Sequence, residues 1–453
     1  MMKKILAAIL TMAMLVSVVG CSQSEGQSSA ASSDGQSSSQ AGSSEASSEA
    51  SGEKIQLTFM QTTSGSAEYY EPTAEKVAAM YTEVNPNVEV TVQHVGDNYY
   101  EVLMTAVAAN EAPDASVGWS PTPLQYAAAG EALPLDSIIE KWEAEGNEML
   151  TDIPQDYYDF YKYEDHYYGI PYRVDPRVIT YRTDMFEEAG ITELPKTWDD
   201  FEEVCAKLLE TFPDKIPFII AGAEFMPTHA VIGFGANNGT GFVNENLEPN
   251  MTSPEFIEIL AFFRDLYANG YISAGSASYA SADAEKLFTS GEGAMVYLGA
   301  PAFVQNSDVE EFCAIMPPLQ GPSGDKQQTY AWITGAFALS QTEHPQETLD
   351  FLEWWSQNTK ILFTEGRNNS MPCRTSHQND PEIANNWVRS ETIAAMQYGC
   401  VTNAYPAPSL YPEFSQIEGE GIAGNALRDV MAGETDIEAI AEKYNAQVAA
   451  VFE

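Results

Sequence analysis

The sequence predicts an α/β protein of two lobes, on three observations. Strand-like and helix-like segments alternate through the 400 residues that follow residue 53. The first strand, helix and strand are short enough to form a crossover unit, which requires its strands to be parallel. The length of this region also exceeds what one hydrophobic core commonly fills, so two domains of ordinary size are expected.

The elements follow in order. Ile55-Gln56-Leu57-Thr58-Phe59-Met60 alternates as a strand, and Thr62 to Ser66 reads as a turn. Val77, Met80, Tyr81 and Val84 then recur at helical spacing until Asn85-Pro86-Asn87, after which Val88, Val90 and Val92 alternate as a second strand. A helix around Tyr99 to Asn110, a strand over Ala115 to Gly118 and a helix from Leu124 to Ala129, stopped by Gly130, continue the pattern. Thr197 and Asp200 have the spacing of a capping box, ahead of an apolar stripe of Phe201, Val204, Cys205, Leu208 and Phe212. Ser253-Pro254 starts a helix that Gly270 ends, and Thr435 with Glu438 opens a last helix. Strands are expected at Val178 to Tyr181, Phe218 to Ala221, Ala294 to Leu298 and Ala331 to Leu339.

A leader precedes this body. Lys3 and Lys4 stand before an apolar run from Ile5 to Gly20 that is short for a bilayer span. Residues 1–20 thus read as a signal peptide, and Val18-Val19-Gly20-Cys21 resembles a bacterial lipoprotein processing box that would place a lipid on Cys21. A plain secretory signal with an incidental cysteine, or a signal anchor, would use the same residues. Of the 31 residues from Ser22 to Gly52, 14 are serine and none is aromatic, Val, Leu, Ile or Met. Such a segment has nothing to bury against its ordering entropy, so residues 21–53 read as a lipidated cysteine and a flexible tether with a reach of roughly 30 Å. No later segment approaches the apolar length of a membrane-spanning helix. The expected location is the outer face of the cell membrane.

Charge excludes some partners. Loss of Lys3 and Lys4 with the leader takes the formal charge from −45 to −47, which repels nucleic acid, and no Lys/Arg stripe reverses it locally. Long-range steering therefore favours a neutral or cationic ligand. Cys205, Cys313, Cys373 and Cys400 are widely spaced with no CxxC pair, so they read as separate small apolar residues, although the compartment permits a disulfide. No cofactor or metal site is read from the spacing of potential ligands, and GxSxG, HExxH and glycine-rich phosphate loops are absent from the sequence.

Several stretches, taken together, resemble a known family. They are Tyr168-Gly-Ile-Pro-Tyr-Arg173, Tyr181-Arg-Thr-Asp184-Met-Phe186-Glu-Glu-Ala-Gly190 and Pro195-Lys-Thr-Trp198-Asp-Asp-Phe201. To these add Asn85-Pro86, Pro113-Asp114, Ala127-Ala-Ala-Gly130-Glu-Ala-Leu133-Pro134-Leu135, Phe288-Thr-Ser-Gly291-Glu-Gly-Ala294-Met295 and Gly321-Pro322-Ser-Gly324. Their order and spacing are similar to the extracellular solute-binding proteins of ABC importers, in the large carbohydrate-binding family that includes maltose-binding proteins. The resemblance implies a two-lobe fold of the periplasmic-binding-protein type II class with a hinge of several crossings, a sugar in the cleft, delivery to permease subunits, and no catalysis. The lobes are expected as 54–174 plus about 336–400, and 177–329 plus about 404–453, in a monomer.

Candidate ligand residues come from chemistry as well as from position. A neutral polyol needs rings against its C–H faces and planar polar groups for its hydroxyls. Trp119 lies at the carboxyl end of a predicted strand, where α/β sheets bind ligands. By the resemblance, Arg173 and Asp175 fall in the stretch that would cross between lobes, with a salt bridge to Arg177 as the alternative use of the charge. By the resemblance, Asp175 matches a carboxylate that grips hydroxyls, Glu224 an acidic cleft residue with His229 behind it, and Trp332 a ring near the second crossing. Arg367 sits in a turn that could face the cleft or cap a helix. Gly299-Ala300-Pro301 lacks the Trp that the family commonly has there. Tyr126, Trp354 and Trp355 read as core, and the tyrosines from Tyr157 to Tyr168 as either core or entrance. On the residues alone, a polyamine or peptide receptor, a sensory partner, and an enzyme using Asp175 and Glu224 as acid and base stay open.

Overall fold

The computed structural model describes residues 54–453 except Asp97, Ser120 and Pro408; the leader, Cys21 and the tether lie outside the described residues. The chain opens with strand β1 (Ile55–Thr62), helix α1 (Ala67–Val84) and strand β2 (Val88–Val95). β1 and β2 are parallel, with Ile55 opposite Val88 and Thr62 opposite Val95, as the crossover reading requires. Helix α1 reaches ten residues further toward the N-terminus than Val77, because Tyr70 and Ala74 extend its buried face by whole turns. Then come α2 (Tyr99–Ala108), β3 (Ala115–Trp119) and α3 (Thr122–Ala129), which Gly130 stops in the left-handed region at φ 76°.

Strands β4 (Ile170–Pro176) and β5 (Val178–Arg182) are nearly continuous, separated by Arg177 alone. After them lie α4 (Trp198–Thr211), β6 (Ile216–Ile220), α5 (Met226–Ala236), α6 (Pro254–Ala268), β7 (Gly293–Leu298), β8 (Cys313–Met316) and β9 (Thr329–Leu339). The remainder is α7 (Pro345–Gln357), β10 (Met371–Pro372), α8 (Trp387–Met396), β11 (Cys400–Val401), α9 (Glu413–Gly419), α10 (Ile422–Met431) and α11 (Ile437–Val451). The capping box at α4 is complete: the Thr197 hydroxyl accepts from the Asp200 amide, and the Asp200 carboxylate accepts from the Thr197 amide. One cap moves by a residue. Asp436, rather than Thr435, caps α11 by accepting from the Ala439 amide, since its carboxylate is the one three residues back from that donor.

Two sheets organise the body. In the first, the order is β10-β4-β9-β3-β1-β2, with β11 and the short strand Ala132–Leu133 also pairing β9. In the second it is β8-β5-β7-β6. Each sheet has its own apolar core. Leu57 to Val174 and Ala331 to Met396 supply one, and Ile179 to Tyr330 and Val401 to Val448 the other, with Leu124 of α3 reaching into the second. The chain therefore passes between cores three times: from Val174 to Ile179, within β9 at Tyr330 and Ala331, and from Met396 to Val401. This is the two-lobe architecture with several crossings. Trp355 is fully buried and Trp354 packs on the first core, and Tyr157, Tyr158 and Tyr161 are buried there too. Tyr126 is half-buried, its ring stacked at 5.9 Å on Phe337.

Among the described residues the four cysteines are free, with Cys205 and Cys373 buried and the other two half-buried. No described helix is long and apolar enough to cross a membrane.

Candidate functional site in the interlobe cleft

The site grows from the two strands that cross between lobes. β4 and β9 run antiparallel, with Trp332 opposite Asp175 and Thr334 opposite Arg173. Val174 and Ile333, also paired, point into the first core, so strand alternation puts Arg173, Asp175, Trp332 and Thr334 together on the other side of the pair. Sequence separation of about 160 residues is thereby reduced to neighbouring positions on one ladder.

Rings extend this patch in both directions. Trp332 lies 6.1 Å from Trp119 and 5.6 Å from Phe225, centroid to centroid, and His229 is edge-on to it at 4.8 Å. Trp119 in turn touches Tyr99 and Tyr100, each at 5.3 Å. The result is a belt running from α2 through the end of β3 and the hinge strand β9 to the start of α5. Its two ends are open: Tyr100 is 42% and Phe225 43% exposed. One end rests on elements of the first lobe and the other on elements of the second.

Polar groups are arranged along the belt. Asp175 and Arg177 form an ion pair at 2.8 Å, with Arg177 buried and the Asp175 side chain 36% exposed. Gly299 lies over that pair; a Cβ there would come within 3.3 Å of the Asp175 carboxylate. Arg177 Nε donates to His229 Nδ1 at 2.9 Å, so that nitrogen is an acceptor and the imidazole is neutral with its proton on Nε2. Burial first, and the Arg177 charge second, hold the His229 pKa well below the usual imidazole range. Its Nε2 is buried and meets no acceptor among the described residues. The indole N–H of Trp332 donates to the Tyr330 hydroxyl, which donates to Glu418 at 3.5 Å. Burial is the largest influence on the Glu418 carboxyl and pushes it up to about 8, against the opposing pull of the Tyr330 hydroxyl and the Arg177 charge.

Of the residues singled out from sequence, Trp119, Asp175, His229 and Trp332 converge in this belt, and Arg173 sits beside it on the same ladder. Arg173 is 4% exposed and donates from Nε to Thr334 Oγ1 at 3.1 Å and from Nη2 to Thr62 Oγ1 at 2.8 Å. Asp175 takes its charge partner from Arg177, the ion-pair alternative that the sequence allowed. Glu224 stays apart: exposed and at φ 57°, it accepts from the Ser281 hydroxyl at 3.0 Å, and the next residue, Phe225, is the one that enters the belt. Arg367 is also elsewhere, its guanidinium 3.8 Å above the Tyr69 ring and its carbonyl against Gly65 in the turn after β1.

Sequence reasoning missed Tyr99, Tyr100, Tyr330 and Glu418. Tyr330 was within reach, since it stands two residues from Trp332 on a strand already assigned to a crossing. Nothing local marks Glu418, whose place depends on how α9 packs near α3.

Residues 62–359 match the family described as bacterial extracellular solute-binding protein. The chain belongs to that family. A protein of Brucella abortus (strain 2308), named as a binding protein, is 23% identical over 409 residues, spanning 88% of this chain and 93% of that one. An arabinooligosaccharide-binding protein of Halalkalibacterium halodurans is 23% identical over 267 residues, 57% of each chain. The fold is that of a sugar transporter protein from Arthrobacter chlorophenolicus A6 with bound laminaribiose, at a TM-score of 0.77 and 20% identity, covering 88% of this chain and 99% of that one. In this solute-binding protein, then, the belt joins rings from elements packed on both cores, and the family and its neighbours are binding proteins.

Proposed function

We propose that this protein captures a saccharide between its lobes and hands it unaltered to the permease of an ABC importer. The observation that carries the reading is the ring belt from Tyr100 to Phe225, built from both lobes and flanked by Asp175, His229 and Glu418. Ring faces take up the C–H faces of a sugar, while a carboxylate, an imidazole N–H and a protonated carboxyl exchange hydrogen bonds with hydroxyls. Trp119 and Trp332 are the stacking platforms; Asp175 and His229 hold hydroxyls. Arg173 lies beside them, and Glu224 and Arg367 stay outside the belt. Family membership and the saccharides named for the relative and the structural neighbour support this.

Capture works by population shift. A ligand that touches rings from both lobes binds the closed form better than the open one, and only that difference moves the equilibrium. The lobes comprise 54–174 plus about 336–400, and 177–329 plus about 404–453, acting as a monomer. Cys21 carries the lipid that keeps the protein at the outer membrane face, and the serine-rich tether gives it reach toward the permease.

The test is a melting screen of purified protein against arabinose, glucose, galactose, glucuronate and galacturonate and their di- to tetrasaccharides. The true ligand at 100 times its Kd adds about 2.7 kcal/mol of stability by mass action. A panel in which no saccharide raises the melting temperature, or in which the sugar is recovered cleaved, overturns the reading.

A further inference from the structure

Three arginines in the described body are more than nine-tenths buried: Arg173, Arg177 and Arg374. Two have carboxylate partners. Arg177 pairs with Asp175 at 2.8 Å, and Arg374 with Glu148 at 2.5 Å and Asp152 at 2.6 Å. Arg173 has none within 4 Å among the described residues; its two bonded nitrogens reach only the hydroxyls of Thr62 and Thr334. Its third nitrogen, Nη1, is buried and unpartnered.

A buried guanidinium without a counter-ion is costly, because its hydration is lost and no opposite charge replaces it. The surroundings sharpen the point. Thr62 and Thr334, which hold its other two nitrogens, are themselves buried. The open group on this face of β4 is a donor. Each hydroxyl of a neutral polyol brings a donor along with its acceptor lone pairs, whereas a carboxylate offers acceptors only and accepts two parallel bonds from one guanidinium. The register places this donor beside the ring belt, since Thr334 is paired with both Arg173 and Trp119.

We infer that the saccharide carries a carboxylate, as a uronic acid does, and that Arg173 is the residue that receives it. This rests on the saccharide reading above and names the class within it. The chain's net negative charge acts over the screening length of about 8 Å and opposes a free anion in solution. It does not govern a contact made at hydrogen-bond distance once the ring faces hold the sugar. Parting of the lobes is the step that admits the carboxylate to Nη1.

The experiment is calorimetry with the full-length protein in detergent. Ligands are galacturonate and glucuronate, with their di- and trisaccharides, each beside its methyl ester and its neutral galactose or glucose counterpart. At least one acid should bind tenfold or more tightly than both counterparts. Arg173→Met, which keeps much of the side-chain volume, should erase that preference while the acid's residual affinity falls to the level of the ester. Arg173→Lys, which keeps the charge, should retain part of it, and circular dichroism with melting checks that both variants fold. If Arg173→Met does not fold, Arg173→Gln serves, with the same loss of the preference expected. Neutral sugars binding as well as or better than their acids overturns the inference while leaving saccharide capture intact, and so does a preference that survives Arg173→Met. Absence of binding by every saccharide, acid or neutral, overturns both.

Discussion

Replacing Glu418 by glutamine should change how stability depends on pH, and the structure sets the sign and the size. The carboxyl stands at about 8 in the folded protein against an ordinary 4.5. The native state therefore holds a proton that the unfolded chain has released, and stability declines as pH rises between these two values and levels off above. At about 1.4 kcal/mol per pH unit the decline could reach roughly 5 kcal/mol. Glu418 is only half-buried and water relieves part of that cost, so ~2 kcal/mol is the better expectation. Glutamine keeps the shape and cannot ionise. Melting curves of wild type and Glu418→Gln from pH 4.5 to 9 should coincide at the acid end and separate by about 4 °C at the alkaline end, the variant being the more stable, at ~2 °C per kcal/mol for a lobe of this size. Comparison with the parent cancels every other titrating group. Parallel curves, or a gap that opens at low pH, would refute the argument that burial holds this carboxyl protonated.

Other substitutions probe the rest of the site. Trp332→Ala removes the ring that touches Trp119, Phe225 and His229 together, and should weaken saccharide binding tenfold or more, about 1.4 kcal/mol, in calorimetry; unchanged affinity would take it out of the site. Asp175→Ala strands the buried Arg177 without its partner and should lower both affinity and stability, the latter by about 3 kcal/mol in urea unfolding. A normal unfolding midpoint would show that the ion pair is not what balances Arg177. Cys21→Ser should move the protein from the membrane fraction to the medium, and retention of the variant on washed membranes would remove the lipid from the account.

Much of the fold was legible because its signals are local. The alternation in Ile55 to Met60, the helical spacing ahead of Asn85 and the valines after it dictate a parallel unit without help from the rest of the chain. Thr197 and Asp200 specify their own cap. The last helix shows the limit: Thr435 and Asp436 are both capping types in adjacent positions, and only the backbone path at Ile437 selects the second. The site was half legible for a related reason. Trp119 and Trp332 could be placed by strand ends and crossings, but Tyr99, Tyr100 and Glu418 join them through packing between helices and strands far apart in sequence. Glu224 shows the reverse. Its position after a strand suggested the cleft, yet its left-handed backbone turns the carboxylate to Ser281 and presents Phe225 instead.

The most direct test of capture between two lobes is small-angle scattering of the protein with the saccharide that raises its melting temperature most. The radius of gyration should contract at saturation, and Trp332→Ala should need more sugar to reach the same end point. A profile that stays superimposable with and without saturating ligand would contradict the account.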